Sequence, residues 1–196
     1  MVLGMEFLHY KNSIADFGRS LAETWEATTH AALSTYKTAL SSISLFLLLD
    51  LLGAAKPRVP SYFKTTHWAY QSLAKIELRL RSLGLLQSKP DQPFLPESEK
   101  PHDQFNAAWG MLDDHIPFMA RGVEVLHIIP TPFPHVWHTI DDDGEHLDGP
   151  TVEDWARMVT AFVGEWMDLE GYFPDKKQAE AEFRAKRKES LSKDEL

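Results

Sequence analysis

Two hydrophobic periods alternate along this chain. Ile14, Phe17, Leu21 and Trp25 fall at helical spacing, so residues 13–37 predict an amphipathic helix that breaks near Ser34. The run from Ile43 to Leu49 is apolar on both faces and ends at Asp50, with Gly53 close behind. It is too short, and too close to an acid, to cross a bilayer, and it predicts a central strand buried on both sides. Pro57 to Pro60 is a connection. A second helix is predicted over residues 61–83, with Leu73, Ile76, Leu80 and Leu83 on one stripe and Gly84 as its C-cap. Lys89 to His102 carries four prolines and reads as a long loop. Val123 to Ile129, bounded by Gly122 and Pro130, predicts a second buried strand. Thr151 with Asp154 predicts a capping-box start for a last helix, buried along Val152, Trp155, Val159, Phe162, Val163, Trp166 and Leu169. From Asp175 onward the chain is charged and alanine-containing, which predicts a fraying helix or a disordered extension.

Composition narrows the partners. A chain of 196 residues with 43% hydrophobic residues can bury a core, and its length fits one domain or the larger part of one. The organisation predicted is a main domain over 1–170 and a charged tail over 171–196. A net charge of −9 disfavours nucleic acid and anionic membrane surfaces as partners. The absence of cysteine excludes disulfides and thiolate metal sites, leaving His, Asp and Glu as the strong metal ligands. The terminal K-D-E-L reads as the signal for return to the lumen of the endoplasmic reticulum, which makes the KDEL receptor a partner. Met1 to Tyr10 has neither the basic n-region nor the apolar h-region of a signal peptide. A chain missing its natural N-terminus would reconcile the two ends.

The chemistry concentrates after the second predicted strand. Pro130, Pro132 and Pro134 stop the sheet and stiffen a loop that carries Phe133 and Trp137, then His138, then Asp141 to Asp143. A rigid loop leaving a strand end is where open α/β sheets build sites, and rigid aromatics beside an imidazole describe a small apolar pocket with one potential metal ligand. The same spacing also suits a loop that caps a core, with the three acids forming a solvated turn. Asp50, at a strand end among apolar residues, must be hydrogen-bonded or titrate high, as acid–base sites exploit; it could equally cap nearby N–H groups. Asp113 reads as a turn residue or an acid of the site. His127 lies inside the strand and reads as a satisfied core histidine, and His135 as an exposed one; neither is assigned to metal.

The string H-I-I-P-T-P-F-P-H-V-W-H-T-I-D-D-D resembles the C-terminal signature of the glutaminyl-peptide cyclotransferases. F-L-L-L-D-L-L-G-A at 46–54 and D-D-H-I-P-F at 113–118 resemble the same family in the same order. The resemblance implies an α/β fold, the three-layer αβα aminopeptidase-like domain, represented by its C-terminal part. It implies a zinc enzyme that converts the N-terminal glutamine of peptides and proteins to pyroglutamate with release of ammonia. In that chemistry the α-amine attacks the side-chain amide carbon, zinc polarises the amide oxygen and a glutamate moves the proton. By the same resemblance His138 is a zinc ligand, Phe133, Trp137 and Tyr10 are pocket aromatics, and Asp50 and Asp113 orient the proton-transferring acid. The family's adjacent glutamates, in a G-E-E-A-F-L-H pattern, correspond to Leu3-Gly4-Met5-Glu6-Phe7-Leu8-His9: without a gap Met5 stands at the ligand and Gly4 at the acid, and with one deletion Glu6 becomes the ligand and Met5 the acid. With one His and at most one Glu in place of the three protein ligands that hold a catalytic zinc, the chain alone is expected to bind zinc weakly and to show no turnover. The alternatives are a zinc aminopeptidase on the same fold and a catalytically dead chain.

Overall fold

The two apolar runs read as strands pair with each other. In this computed structural model, which describes residues 19–25, 36–105 and 112–172, β1 (Phe46–Leu49) lies parallel to β2 (Val125–Ile128). Phe46 stands opposite Val125 and Leu49 opposite Ile128. The ladder continues at both ends, with the Phe46 N–H donating to the Glu124 carbonyl at 2.8 Å and the Asp50 N–H to the Ile128 carbonyl at 3.0 Å. Parallel pairing needs a long crossover, which here contains the helix α2 (His67–Ser82). The Thr66 hydroxyl at the start of that helix donates to the Val125 carbonyl, tying it to β2.

Burial separates the strands. β2 is buried at all four positions, as its β-branched and aliphatic run predicts. β1 is half-buried and Leu49 is exposed, which corrects the expectation of a strand buried on both sides. Apolar composition buries a strand only where neighbours exist, and among the described residues β1 has β2 on one edge alone. Beside the sheet, Phe118 stacks on Phe46 at 4.5 Å and meets Trp25 edge-on at 6.0 Å. Ala22, Leu40 and Val123 complete this cluster. Trp25 and Ala22 belong to α1, described over residues 19–25. Tyr36 and Lys37 are not helical, so the first helix does not reach residue 37.

The second helix starts at His67 and not at Ser61. Residues before it are drawn into other bonds, with the Ser61 N–H held by the Glu97 carboxylate at 3.1 Å, its hydroxyl paired with the His67 ring at 2.8 Å, and the Tyr62 hydroxyl donating to the Ile129 carbonyl at 2.9 Å. Its end matches the expectation. The Leu85 N–H returns to the Leu80 carbonyl at 2.9 Å and the Gly84 N–H to that of Arg81 at 3.0 Å, with Gly84 at φ +66°. This is the Schellman arrangement that a glycine without Cβ permits. Leu83 sits at the cap and is 63% exposed, so the buried stripe does not include it.

The proline loop is pinned. Fully buried Glu77 accepts from the Phe94 and Leu95 N–H groups at 2.8 and 3.0 Å and pairs with Arg81 at 2.8 Å. The Arg81 guanidinium in turn lies 4.7 Å over the Phe94 ring, which stacks on Trp155.

A short helix, α3 (Ile116–Met119), precedes β2, and α4 (Gly149–Trp166) closes the described residues. The expected capping box at Thr151 and Asp154 does not form. Asp148 caps α4 instead, its carboxylate accepting the Thr151 N–H at 3.0 Å. Asp154 is buried and accepts the N–H groups of Gln87 and Ser88 at 2.7 and 2.9 Å. A carboxylate one turn inside the helix is free to serve a distant segment once the residue before the first turn caps it. Met158 joins the buried face of α4, whereas Val163 and Trp166 are exposed.

The chain divides into compact units at Met1–Val159 and Thr160–Leu196. In the second, the described residues finish α4 with Phe162 stacked on Trp166 at 6.1 Å. Among the described residues, no helix is long and apolar enough to cross a membrane.

Candidate active site

Asp50 follows the last residue of β1; the D-D-H run at 113–115 precedes α3, and the hydrogen bond between Asp113 and His127 of β2 ties it to the sheet. Leu51, next to Asp50, holds φ +55°, so the chain turns sharply as it leaves the strand. Burial raises the Asp50 carboxyl above its ordinary range, and the charge of Asp113 raises it further against the Leu51 N–H bond. Burial alone would raise Asp113 too. There the His127 hydrogen bond, at 2.9 Å to Nε2, and the Asp114 N–H at 2.8 Å outweigh it and hold the group below its usual value. Asp114 carries neither aid, and burial with the charges of Asp113 and Asp50 pushes it up to about 6. Neighbouring carboxylates are thus driven apart, Asp113 lowered and Asp50 and Asp114 raised.

His115 and His127 back this group. Their rings lie 4.6 Å apart and both are buried. Burial, and then the charge of His127, lower His115 to about 4, so it is neutral at pH 7. Among the described residues, both ring nitrogens of His115, and Nδ1 of His127, lack a hydrogen-bond partner.

The loop after β2 supplies a wall. Thr131 and Pro132 are joined by a cis peptide bond. Phe133 meets Trp137 edge-on at 4.6 Å, and the His138 ring stacks on Trp137 at 3.8 Å. His138 adopts φ +60°, a left-handed conformation that its N–H bond to the Asp142 carboxylate at 3.1 Å holds in place. The charge of Asp142 reaches Asp50 and contributes to raising it. The Asp148 N–H donates to the Gly53 carbonyl at 2.8 Å, which fastens the loop's far end to the turn after Asp50.

The structure therefore brings together Phe133, Trp137 and His138, and brings together Asp50 and Asp113. It links the two sets through Asp142. Tyr10 and Glu6 lie outside the described residues. Of the three acids after His138, Asp142 orients the histidine backbone, and Asp143 caps the turn at Gly144–His146 by accepting the Glu145 and His146 N–H groups. His127 is the core histidine expected, though only its Nε2 is paired, with Asp113, and His135 is exposed. Asp114 and His115 were not assigned a role from the sequence; the D-D-H run itself was the available signal. Among the described residues, no second and third ligand gather around His138. The one group of three that could hold an ion is Asp113, His115 and His127. The described residues alone do not complete a metal site at His138.

The chain is similar to proteins of known kind. A glutaminyl-peptide cyclotransferase-like protein of Bos taurus is 40% identical over 177 residues, covering 86% of this chain and 44% of its own length. The glutaminyl-peptide cyclotransferase of Boiga irregularis is 39% identical over 165 residues, covering 83% of this chain and 43% of its own length. The crystal structure of a Macrostomum lignano glutaminyl cyclase superposes with a TM-score of 0.60 at 28% identity, over 77% of this chain and 47% of that one. The fold is thus aminopeptidase-like, and this chain spans less than half the length of the curated relatives it matches. The model of Peptidase family M28 matches residues 23–163, from within α1 into α4. With that family model covering most of the chain and relatives about 40% identical over more than four fifths of it, this chain belongs to peptidase family M28.

Proposed function

We propose that this chain carries the substrate wall and the carboxylate network of a glutaminyl-peptide cyclotransferase, which converts the N-terminal glutamine of peptides to pyroglutamate. The carrying observation is the Phe133–Trp137 pair, linked through Asp142 to carboxylates of unlike acidity. A primary amide is small and flat, and two rings meeting edge-on form a corner against which it can lie. The amine nitrogen forms a bond to the amide carbon, the carbon–nitrogen bond to the leaving group breaks, and a proton must pass from amine to departing ammonia. A carboxyl that titrates high, as Asp50 does, can hold that proton, while Asp113, kept ionised by His127, fixes its orientation. Zinc belongs to this proposal with His138 and Glu6 among its ligands, and as a Lewis acid it would supply polarisation of the amide oxygen.

The test uses peptides that begin with Gln or with Ala. A Gln-peptide is expected to quench Trp137 fluorescence, and Trp137→Ala to weaken its binding about tenfold or more, the order of a lost aromatic contact. His138→Ala is expected to spare peptide binding while lowering zinc content. Any turnover must yield pyroglutamyl peptide and ammonia. Free glutamine would identify a hydrolase instead, and equal binding of the Ala-peptide would remove the reading. With so few ligands at His138, turnover by the 196-residue chain alone is expected to be undetectable.

Lys193 to Leu196 is proposed as a retention signal for the endoplasmic reticulum. A form supplied with a signal peptide should stay in the lumen, and deletion of the four residues should cause secretion. Equal secretion of both would dismiss the assignment.

A further inference from the structure

Three residues of the segment after β1 hold both ends of the loop that carries the aromatic wall. At its far end the Asp148 N–H donates to the Gly53 carbonyl at 2.8 Å, and at its root the Thr131 N–H donates to the Arg58 carbonyl at 2.8 Å. The third, Tyr62, acts through its side chain. Its hydroxyl lies 2.9 Å from the Ile129 carbonyl and 2.7 Å from the Thr131 hydroxyl. A phenol has one proton to give, so the Ile129 carbonyl takes it and the Thr131 hydroxyl donates back to the phenol oxygen. Ile129 is buried and stands one residue past the last paired position of β2, so its carbonyl needs this partner. Burial raises the Tyr62 phenol above its ordinary value, which keeps the proton in place.

The ring of the same side chain faces the other half of the site. It lies tilted at 5.7 Å from the His127 ring, and His127 holds Asp113 through Nε2 at 2.9 Å. The next residue, Phe63, meets His115 edge-on at 5.6 Å, so consecutive aromatics rest on the two buried histidines. Thr131 stands two residues before Phe133 and six before Trp137, with Pro132 and Pro134 stiffening the path between. A displacement at Thr131 is therefore carried to the wall and is not absorbed on the way.

We propose that Tyr62 is a positioning residue of this site: its hydroxyl sets the root of the Phe133–Trp137 wall, and its ring braces the histidine that holds Asp113. One side chain thus fixes how far the amide-binding rings stand from the carboxylates. The role rests on the cyclotransferase reading, since it takes the wall to receive a glutamine amide. A misplacement of about an ångström matters there, because amine, amide carbon and carboxyl must come within reach of one another together. A phenylalanine ring at this position would keep the brace and lose the root.

Tyr62→Phe and Thr131→Val, each made in the full chain, remove the bond between the two hydroxyls from either side, and Thr131 is exposed, so its variant leaves the interior alone. The Trp137 indole N–H resonance, identified by its absence in Trp137→Phe, is read in folded protein without peptide, and Gln-peptide affinity is read by titration. Tyr62→Phe is expected to move the indole resonance and to weaken the Gln-peptide about tenfold. Thr131→Val should move both in the same direction by less, since the Ile129 bond remains, and the double variant should be no weaker than Tyr62→Phe. Tyr62→Leu should in addition shift the His127 ring nitrogens, which Tyr62→Phe leaves in place. A residue that served stability alone would lower the melting temperature and leave folded-state resonances and affinity where they were. That result in Tyr62→Phe overturns the proposal, as does full additivity of the two single variants. Equal binding of Gln- and Ala-peptides by the unmutated chain would instead remove the cyclotransferase reading, and the indole resonance would then decide whether Tyr62 places the wall.

Discussion

At the scale of single residues, acidity here is set by partners more than by depth. Asp113 and Asp114 are adjacent, and burial raises both, yet they move in opposite directions because only Asp113 receives the His127 hydrogen bond. Glu77 shows the structural counterpart. It is fully buried, and it satisfies two loop N–H groups and Arg81 at once. Removing it strands a guanidinium and two amides, so Glu77→Ala is expected to cost about 3 kcal/mol. Urea unfolding with an unchanged slope would register this as a shift of the midpoint. Glu77→Gln keeps one acceptor and should lie between the two.

At the scale of elements, ends matter more than middles. The α2 C-terminus depends on Gly84 at φ +66°, and a Cβ there meets no neighbour, so the whole cost of a side chain is conformational. Gly84→Ala is therefore expected to destabilise by about 1 kcal/mol. A calorimetric melt measures it, and Leu83→Ala, at the exposed cap, serves as the nearly neutral comparison. Helix α4 repeats the lesson at its start. Asp148 and Asp154 are both acids near a helix N-terminus, but one caps and the other fastens residues 87 and 88.

At the scale of the whole molecule, stability should depend on pH through buried histidines. Burial, and then the nearby His102, lower His67 below its ordinary value of 6.5. The folded chain then binds fewer protons than the unfolded chain just below that value, so stability is full above it and is lost as pH falls. His115 acts in the same sense. Each full proton of difference contributes a slope of at most ~1.4 kcal/mol per pH unit. In metal-free protein, His67→Gln should flatten the decline between pH 7 and the acid range, as measured by chemical unfolding at several pH values. A decline of unchanged steepness would assign it elsewhere.

What the sequence determined by itself is what depends on a few neighbouring residues. Val123 to Ile129 read as a buried strand and Gly84 as the end of a helix, whereas the spacing of Phe133, Trp137 and His138 suited a pocket wall and a core-capping loop alike, and only the resemblance favoured the wall. Asp50 at a strand end was legible from its neighbours. The tertiary structure alone decided which groups meet across long separations. His127 finds Asp113 fourteen positions away, Asp154 finds Ser88 sixty-six away, and His115 comes to face His127. It also decided that β1 is half-buried despite its apolar composition, because burial depends on which neighbours the folded chain provides. Backbone propensity and periodicity act within a turn or two, whereas proton sharing and ion binding need side chains that only the folded path brings within a few ångströms.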